Sequence, residues 1–395
     1  MRYQFEGGTL DTARRELRQG DRLVAVEPQV FDLLEFLIRQ RDRVVSRDDL
    51  IAGVWDGRIV SESTLATRIN AARKAIGDDG AAQRFIRTVA RKGFRFVADV
   101  RELPDEEQSA VAQGGALTQN ISFCRTSDNV AIAMATVGSG PTLVKTSNWL
   151  NHLEYDWESP IWAPFVQRLA ARFRVVRYDG RGNGLSDRDV VDISQAGFER
   201  DLEAVVSAAG LERFALLALS QGVASAVAYA ARNPERVSRL ILYGAYAQGR
   251  NRRGSQADAA TAQTVLAMMQ QGWGQADSAF MRAFSSLYLS DASRAHIKWF
   301  AEMQRHSTSG EMAARLRVAC DDIDVLNMLP DIKVPTLVIH ARHDHVAPIE
   351  QGRQIAARIP GARFVTLDSE NHIPVPTDPV WETLMGEIEA FAGEA

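Results

Sequence analysis

Between residue 141 and the end of the chain, short β-rich apolar runs alternate with helical ones. The strand-like runs read PTLVKT, FRVVRYD, FALLALS, RLILYGA, PTLVIHA and RFVTLDS. The helical ones read PIWAPFVQRLAARF, QAGFERDLEAVVSAAG, QGVASAVAYAARN, IEQGRQIAARIP and VWETLMGEIEAFAG. Alternation of this kind predicts a mainly parallel, doubly wound α/β sheet. One insertion breaks it, from about 248 to 330, and it is rich in Met and aromatic residues.

That sheet does not use the whole chain. At 395 residues the protein is too long for one ordinary domain, and 46% hydrophobic content supplies real cores. Net charge is −4, but residues 1–100 carry 18 Lys and Arg against 15 Asp and Glu, and residues 58–95 carry 9 against 3. The average hides a basic patch near the N-terminus. Only Cys124 and Cys320 are present, which excludes a disulfide scaffold and fits a reducing compartment. The opening MRYQFEGGTL has no apolar signal region. The most apolar stretch, 214–231, is interrupted by Ser220, Gln221 and Gly222, short of a membrane span. The expectation is a cytoplasmic protein that makes no use of the membrane.

The segment RELPDEEQSAVAQGGALTQ, residues 101–119, reads as a linker. It divides the chain into a domain at 1–100 and a second at 120–395. In the first, Val30, Phe31, Leu33, Leu34, Leu37 and Ile38 follow a helical period. Ser46 and Asp49 make a capping-box-like start for a second helix, and a third runs from about Glu62 to Ile76. FIRTVARKGFRFVADV then gives two strand-like runs around a basic turn.

On the third helix, Leu65, Ile69, Ala72 and Ile76 form one apolar stripe. The opposite face holds Ser63, Thr67, Asn70 and Lys74, flanked by Arg68 and Arg73, and no carboxylate. An ordinary solvated helix face is often basic too. A major groove is nevertheless well matched by Asn and Arg, which pair with base edges, and by Lys, Ser and Thr, which hold phosphates. The series VEPQVFDLLEFLIRQRDRVVSRDDLIAGVW, VSESTLATRINAARKAIGDDG and FIRTVARKGFRF resembles the winged helix-turn-helix domain of OmpR/PhoB-type regulators over about residues 3–98. The resemblance implies an α+β fold that binds duplex DNA. Thr64, Thr67, Arg68, Asn70, Arg73 and Lys74 become recognition-helix contacts, and Thr88, Arg91 and Lys92 wing or backbone contacts. Ala90 departs from the basic residue often found there, so the wing contact falls to its neighbours. Two-component members carry a receiver before this domain and membrane-bound members a spanning helix after it. Neither is expected here, so any signal must come from the C-terminal domain.

In that domain Ser220 sits between the strand-like FALLAL and a helix, where a sharp turn lifts its hydroxyl above a sheet and the helix N-terminus offers free N–H groups. Asp344 follows TLVIHA and His372 follows RFVTLDS. Serine, aspartate and histidine in this order, each just past a strand, suit a nucleophile, an orienting carboxylate and a general base. Residues 121–395 resemble the α/β-hydrolase fold family, with further matches at YDGRGNGLSD and NPERVSRLILYG. The resemblance implies catalytic Ser220, Asp344 and His372, an oxyanion hole from the backbone N–H groups of Trp149 and Gln221, and a helical cap over the site. Two departures stand out. Ala218 replaces the elbow's first glycine, and Ser147-Asn148 replaces the usual His-Gly after the third strand. His343 and His345 flank Asp344 but read as loop residues, so neither metal nor cofactor is expected. His152 lies either at the pocket or on the surface. The cap's Met and aromatic residues read mostly as its core, with a few reaching an apolar ligand.

Two functions remain open. One is a transcriptional regulator, acting as a homodimer on double-stranded DNA, whose hydrolase-like domain senses and can hydrolyse a small apolar ester-, lactone- or amide-type ligand. The other is a working serine hydrolase, an esterase or lactonase, carrying an accessory DNA-binding domain.

Overall fold

The computed structural model describes residues 2–6, 8–12, 15–19, 22–55, 60–90, 92–103, 117–274 and 278–393. The chain divides into two compact units, Met1–Ala116 and Leu117–Ala395.

The first unit opens with β1 (Arg2–Phe5), β2 (Gly8–Asp11), β3 (Glu16–Gln19) and β4 (Arg22–Val24). They join β7 (Val100–Leu103) in a five-stranded antiparallel sheet ordered β4-β3-β2-β1-β7. Arg2 pairs with Leu103 and Phe5 with Val100, so the expected linker begins later than residue 101. Of the remainder, 104–116 lies outside the described residues. Three helices follow the first four strands: α1 (Pro28–Arg39), α2 (Arg47–Trp55) and α3 (Glu62–Ala75). The six apolar residues of α1 are all buried. The α2 capping box forms as expected: Asp49 N–H donates to Ser46 Oγ at 3.1 Å, and Ser46 N–H to Asp49 Oδ2 at 2.9 Å. Ser61 caps α3 by accepting from Thr64 N–H. The wing is β5 (Ile86–Val89) against β6 (Gly93–Phe96). Gly93 has φ of +137°, and a Cβ there would lie 2.0 Å from the Val45 carbonyl oxygen. Only glycine lets the wing bridge to Val45 so closely.

The second unit is built on an eight-stranded sheet ordered β15-β14-β13-β12-β10-β11-β9-β8. Six strands run parallel: β10 (Thr142–Lys145), β11 (Arg174–Tyr178), β12 (Phe214–Leu219), β13 (Val237–Tyr243), β14 (Thr336–Ala341) and β15 (Arg363–Leu367). These are the six apolar runs of the sequence. The antiparallel pair β8 (Asn120–Arg125) and β9 (Ala131–Val137) closes one edge. Helices α4 (Leu153–Trp157), α5 (Trp162–Ala170), α6 (Gln195–Ala208), α7 (Gly222–Arg232), α12 (Ile349–Arg358) and α13 (Trp381–Gly393) connect and cover the strands. Residues 214–219 and 336–341 are buried throughout, as strands sandwiched between helices must be.

The insertion is a helical cap: α8 (Gln256–Gly272), α9 (Ala279–Ser286), α10 (Arg294–Ser307) and α11 (Gly310–Asp321), entered through a 3₁₀ turn at Arg250–Arg252. Met269, Trp273, Met281, Phe284, Tyr288, Phe300 and Met303 are buried within it, and Met268 is exposed. These buried side chains are continuous with the core of the sheet rather than a core of the cap alone. Among the described residues no helix is long and apolar enough to cross a membrane.

Candidate active site and nucleic-acid interface

The turn from β12 into α7 places Ser220 in the left-handed region, with φ of +54°. A side chain there is strained, and the turn survives because packing on both sides enforces it. Gly222 is what permits the approach: a Cβ at that position would lie 2.4 Å from both the Ser147 carbonyl oxygen and Thr146 Oγ1. Ser220 Oγ is 2.9 Å from His372 Nε2, and His372 Nδ1 is 2.6 Å from Asp344 Oδ2. All three side chains are buried. The second Asp344 oxygen accepts from the Val346 and Ala347 amides at 2.8 and 2.9 Å. Burial alone would raise the Asp344 pKa, but His372, His340 and the Ala347 amide outweigh it and hold the carboxyl below its ordinary value. Tyr288 lies on another side of the imidazole, its ring edge-on at 5.6 Å, and its carbonyl accepts from the His372 backbone N–H at 3.0 Å.

The loop after β10, where Ser147-Asn148 stands, is held by polar side chains. Lys145 Nζ donates to Asn148 Oδ1 at 2.6 Å, and Asn151 Oδ1 accepts from Asn148 N–H at 2.9 Å and from Ser147 Oγ at 2.8 Å. Burial lowers Lys145 to about 8, countered by Asp156. Trp149 and Gln221, the expected oxyanion donors, both line the pocket that reaches Ser220. The Trp149 indole points into the cap, edge-on to Trp273 and Phe284. His152 is buried, not on the surface, and caps α4 by accepting from Tyr155 N–H. His343 and His345 are exposed beside Asp368 and Glu370. Among the described residues no group of His, Cys, Asp and Glu gathers to hold a metal ion.

The small pocket beside Ser220 departs from the expected apolar character. Arg250, Arg253 and Arg317 line it together with Tyr246, Tyr288 and Trp149. The arginines come from the cap's entry turn and from α11, elements whose convergence has no local signature in the sequence.

In the first unit, Ser63, Thr64, Thr67, Asn70 and Lys74 are exposed along α3, and Leu65, Ile69 and Ala72 are buried beneath them. Two expected contacts sit differently. Arg73 is buried, and its guanidinium donates to Ile86 O at 2.9 Å and to Thr88 Oγ1 at 2.8 Å. Position 73 adjoins the buried Ala72, which turns its side chain toward the wing; Arg73 is a clasp, not a free DNA-facing group. Arg68 is half-buried and ion-paired with Glu27. Thr88 and Lys92 are exposed, and Arg91 lies outside the described residues. Sequence reading passed over Arg87 and Arg95, exposed and directly opposite each other across the wing. Strand alternation in FIRTV and GFRF would have found them. Like charges placed this way repel unless an anion bridges them.

A family model described as "alpha/beta hydrolase fold" matches residues 150–379. A second, described as "Transcriptional regulatory protein, C terminal", matches residues 20–96. The chain is 25% identical over 254 residues to the AB hydrolase superfamily protein YisY of Bacillus subtilis (strain 168), covering 63% of this chain and 91% of that one. A crystal structure of a hydrolase from Pseudomonas aeruginosa PA01 superposes with a TM-score of 0.58 at 27% identity, over 70% of this chain and all but 1% of that one, at 99% coverage. The transcriptional activator CadC of Escherichia coli (strain K12) is 31% identical over 93 residues, 23% of this chain and 18% of CadC. The chain belongs to the α/β-hydrolase fold family and carries, at residues 20–96, an OmpR/PhoB-type winged-helix domain of transcriptional regulators.

Proposed function

We propose that the protein is a DNA-binding transcriptional regulator, acting as a homodimer, whose hydrolase domain binds and hydrolyses a small ester-, lactone- or amide-type ligand. One observation carries this reading: a single chain holds both an exposed recognition face without carboxylates and an assembled Ser220–His372–Asp344 chain of hydrogen bonds. Ser220 Oγ adds to the ligand carbonyl carbon while its proton passes to His372 Nε2. The displaced carbonyl electron pair moves onto oxygen, held by the Trp149 and Gln221 backbone N–H groups. Collapse expels the alcohol or amine, which takes the proton from His372. Water then adds to the acyl carbon, gives a proton to His372, and the acid leaves as Ser220 regains that proton. Asp344 keeps the imidazole in the tautomer that accepts from serine.

A ligand alters DNA binding only if it prefers one arrangement of the protein over another. The test is operator affinity, by anisotropy on a selected DNA fragment, with and without a carbonyl ligand that occupies the pocket. A coupling of typical size changes affinity about 5- to 150-fold. Ser220→Ala, which binds without consuming, holds the response longer than wild type. The second reading, a hydrolase with an accessory DNA-binding domain, draws on the same hydrogen-bonded triad. Ester turnover with identical operator affinities and oligomeric state selects it.

A further inference from the structure

We propose that the ligand hydrolysed at Ser220 carries a carboxylate close to its scissile carbonyl, and that Arg250, Arg253 and Arg317 receive it. This rests on the hydrolytic reading of the site and narrows its substrate class.

The three guanidinium groups line the pocket that reaches Ser220, and Asp321 is the one carboxylate among the lining residues. Their side chains are nearly out of solvent, at 15%, 10% and 6% exposure for Arg250, Arg253 and Arg317. Asp321 is spent on Arg317: it takes Nε at 2.8 Å, and the second carboxylate oxygen takes Nη2. Arg250 reaches that same oxygen only at 3.4 Å, and its other nitrogen reaches Val346 O at 3.4 Å. Arg253 donates Nε to Gln248 O at 3.0 Å, and its nearest carboxylate, Asp258, is 4.0 Å away. Three cations thus face two carboxylates, Asp321, engaged by Arg317, and Asp258, at the edge of Arg253's reach. An excess of nearly buried positive charge is unfavourable, and an arriving carboxylate relieves it through charge-assisted hydrogen bonds.

The placement suits a substrate rather than a structural ion. Ser220, Gln221 and Trp149 form one part of the same wall. Because the guanidinium groups and Ser220 line one small pocket, few carbons separate the carboxylate from the scissile carbonyl. Aromatic faces fix the cations: Arg317 lies 5.9 Å over Trp149 and Arg253 lies 5.7 Å over Tyr246. Arg250 also ties the cap's entry turn to the loop that carries Asp344, since Val346 donates to that carboxylate. An anion drawn to Arg250 therefore bears on the alignment of the acid.

The full-length protein is assayed with two matched ester pairs. Mono-4-nitrophenyl glutarate is compared with 4-nitrophenyl pentanoate, and 4-acetoxybenzoate with its methyl ester. In parallel, glutarate and the neutral glutaramide are tested for thermal stabilisation of wild type and of Ser220→Ala. The expected result is a kcat/KM preference of about ten-fold or more for at least one charged ester, and stabilisation by glutarate but not glutaramide. Arg253→Met and Arg250→Met each bring the charged-to-neutral ratio toward unity and remove the glutarate shift. The winning pair tells which side of the scissile bond bears the carboxylate. Esters cleaved without preference, and no glutarate shift, overturn the proposal and leave the hydrolytic reading standing. Glutarate stabilisation lost in the arginine variants, with no ester cleaved, upholds the anion site and overturns hydrolysis. Neither cleavage nor stabilisation overturns both.

Discussion

The indole Nε1 of Trp149 donates to Gln304 Oε1 across 3.0 Å, and Gln304 Nε2 passes on to Ser285 Oγ at 2.9 Å. Trp149 belongs to the loop after β10, Gln304 to α10 and Ser285 to α9. The residue whose backbone N–H is assigned to the oxyanion hole is thus held from above by the cap.

Gln304→Leu leaves the indole N–H and the serine hydroxyl buried without partners, a loss of about 1–3 kcal/mol. Both stability of the second unit and turnover of a short-chain ester are expected to fall. A loss of stability with unchanged kcat separates a purely structural anchor from one that positions the oxyanion donor.

Ser220 is expected to react with a fluorophosphonate probe. Ser220→Ala abolishes labelling. His372→Ala and Asp344→Asn slow it by about 10²–10⁴-fold, because the serine loses its base or the base loses its tautomer. Mass spectrometry of the labelled peptide identifies the site; a label elsewhere removes Ser220 from its role.

Gly222→Ala puts a methyl group 2.4 Å from the Ser147 carbonyl oxygen, backbone that cannot easily retreat, and from the Thr146 side-chain Oγ1. The expected cost is about 1–3 kcal/mol, with the elbow displaced. Denaturant unfolding measures the first and probe labelling the second.

The sheet was legible because every parallel strand is a short β-rich run with an apolar centre, and the Ser220–His372–Asp344 chain because each member follows one of those runs directly. Signals confined to a few neighbouring residues survive reading in one dimension. The cationic pocket was not legible: Arg250 and Arg317 are 67 positions apart, and only the cap's folding brings them to one wall. Arg73 misled for a related reason. A helical wheel ranks residues by angle, yet a long side chain at the stripe's edge turns inward once a carbonyl such as Ile86 O waits there. The edge pair β8–β9 was missed since β8 is largely exposed and β9, AIAMATV, though buried, is built mainly from Ala and Met rather than the β-branched residues that mark a strand.

Asp78 gathers the segment between α3 and the wing. Its carboxylate accepts from the amides of Asp79, Arg84, Phe85 and Ile86 at 2.8–3.0 Å. Burial alone would raise its pKa; the four amides outweigh burial and hold it below the ordinary 3.8. A depressed carboxyl stabilises the fold above its unfolded pKa, and that contribution drains away as pH falls through the lower folded value. Asp78→Asn is expected to destabilise residues 84–96 by about 1–3 kcal/mol at neutral pH, with the difference from wild type narrowing below about pH 4. Hydrogen exchange of the wing amides across this range is the measurement; a pH-independent difference refutes the linkage.

Arg73 and Lys74 are neighbours with opposite fates, and DNA binding separates them. Lys74 is exposed in the last turn of α3, on the face with Asn70 and Thr67. Arg73 spans from α3 to Ile86 O and Thr88 Oγ1 and fixes the wing against the helix. Lys74→Ala removes a charge available to a phosphate. Affinity for all duplexes is expected to fall by a similar factor, with the slope of log affinity against log salt reduced by about one. Arg73→Ala leaves that slope nearly unchanged, since the guanidinium is engaged internally. It instead exposes the wing amides to faster exchange and costs about 1–3 kcal/mol, the penalty of an unpaired buried carbonyl. Asn70→Ala has a third signature, a loss of about 1–3 kcal/mol confined to sequences with the cognate base. Salt-dependent anisotropy on cognate and random duplexes reads all three. If Arg73→Ala lowers the salt slope as Lys74→Ala does, the clasp opens on DNA and Arg73 returns to the interface.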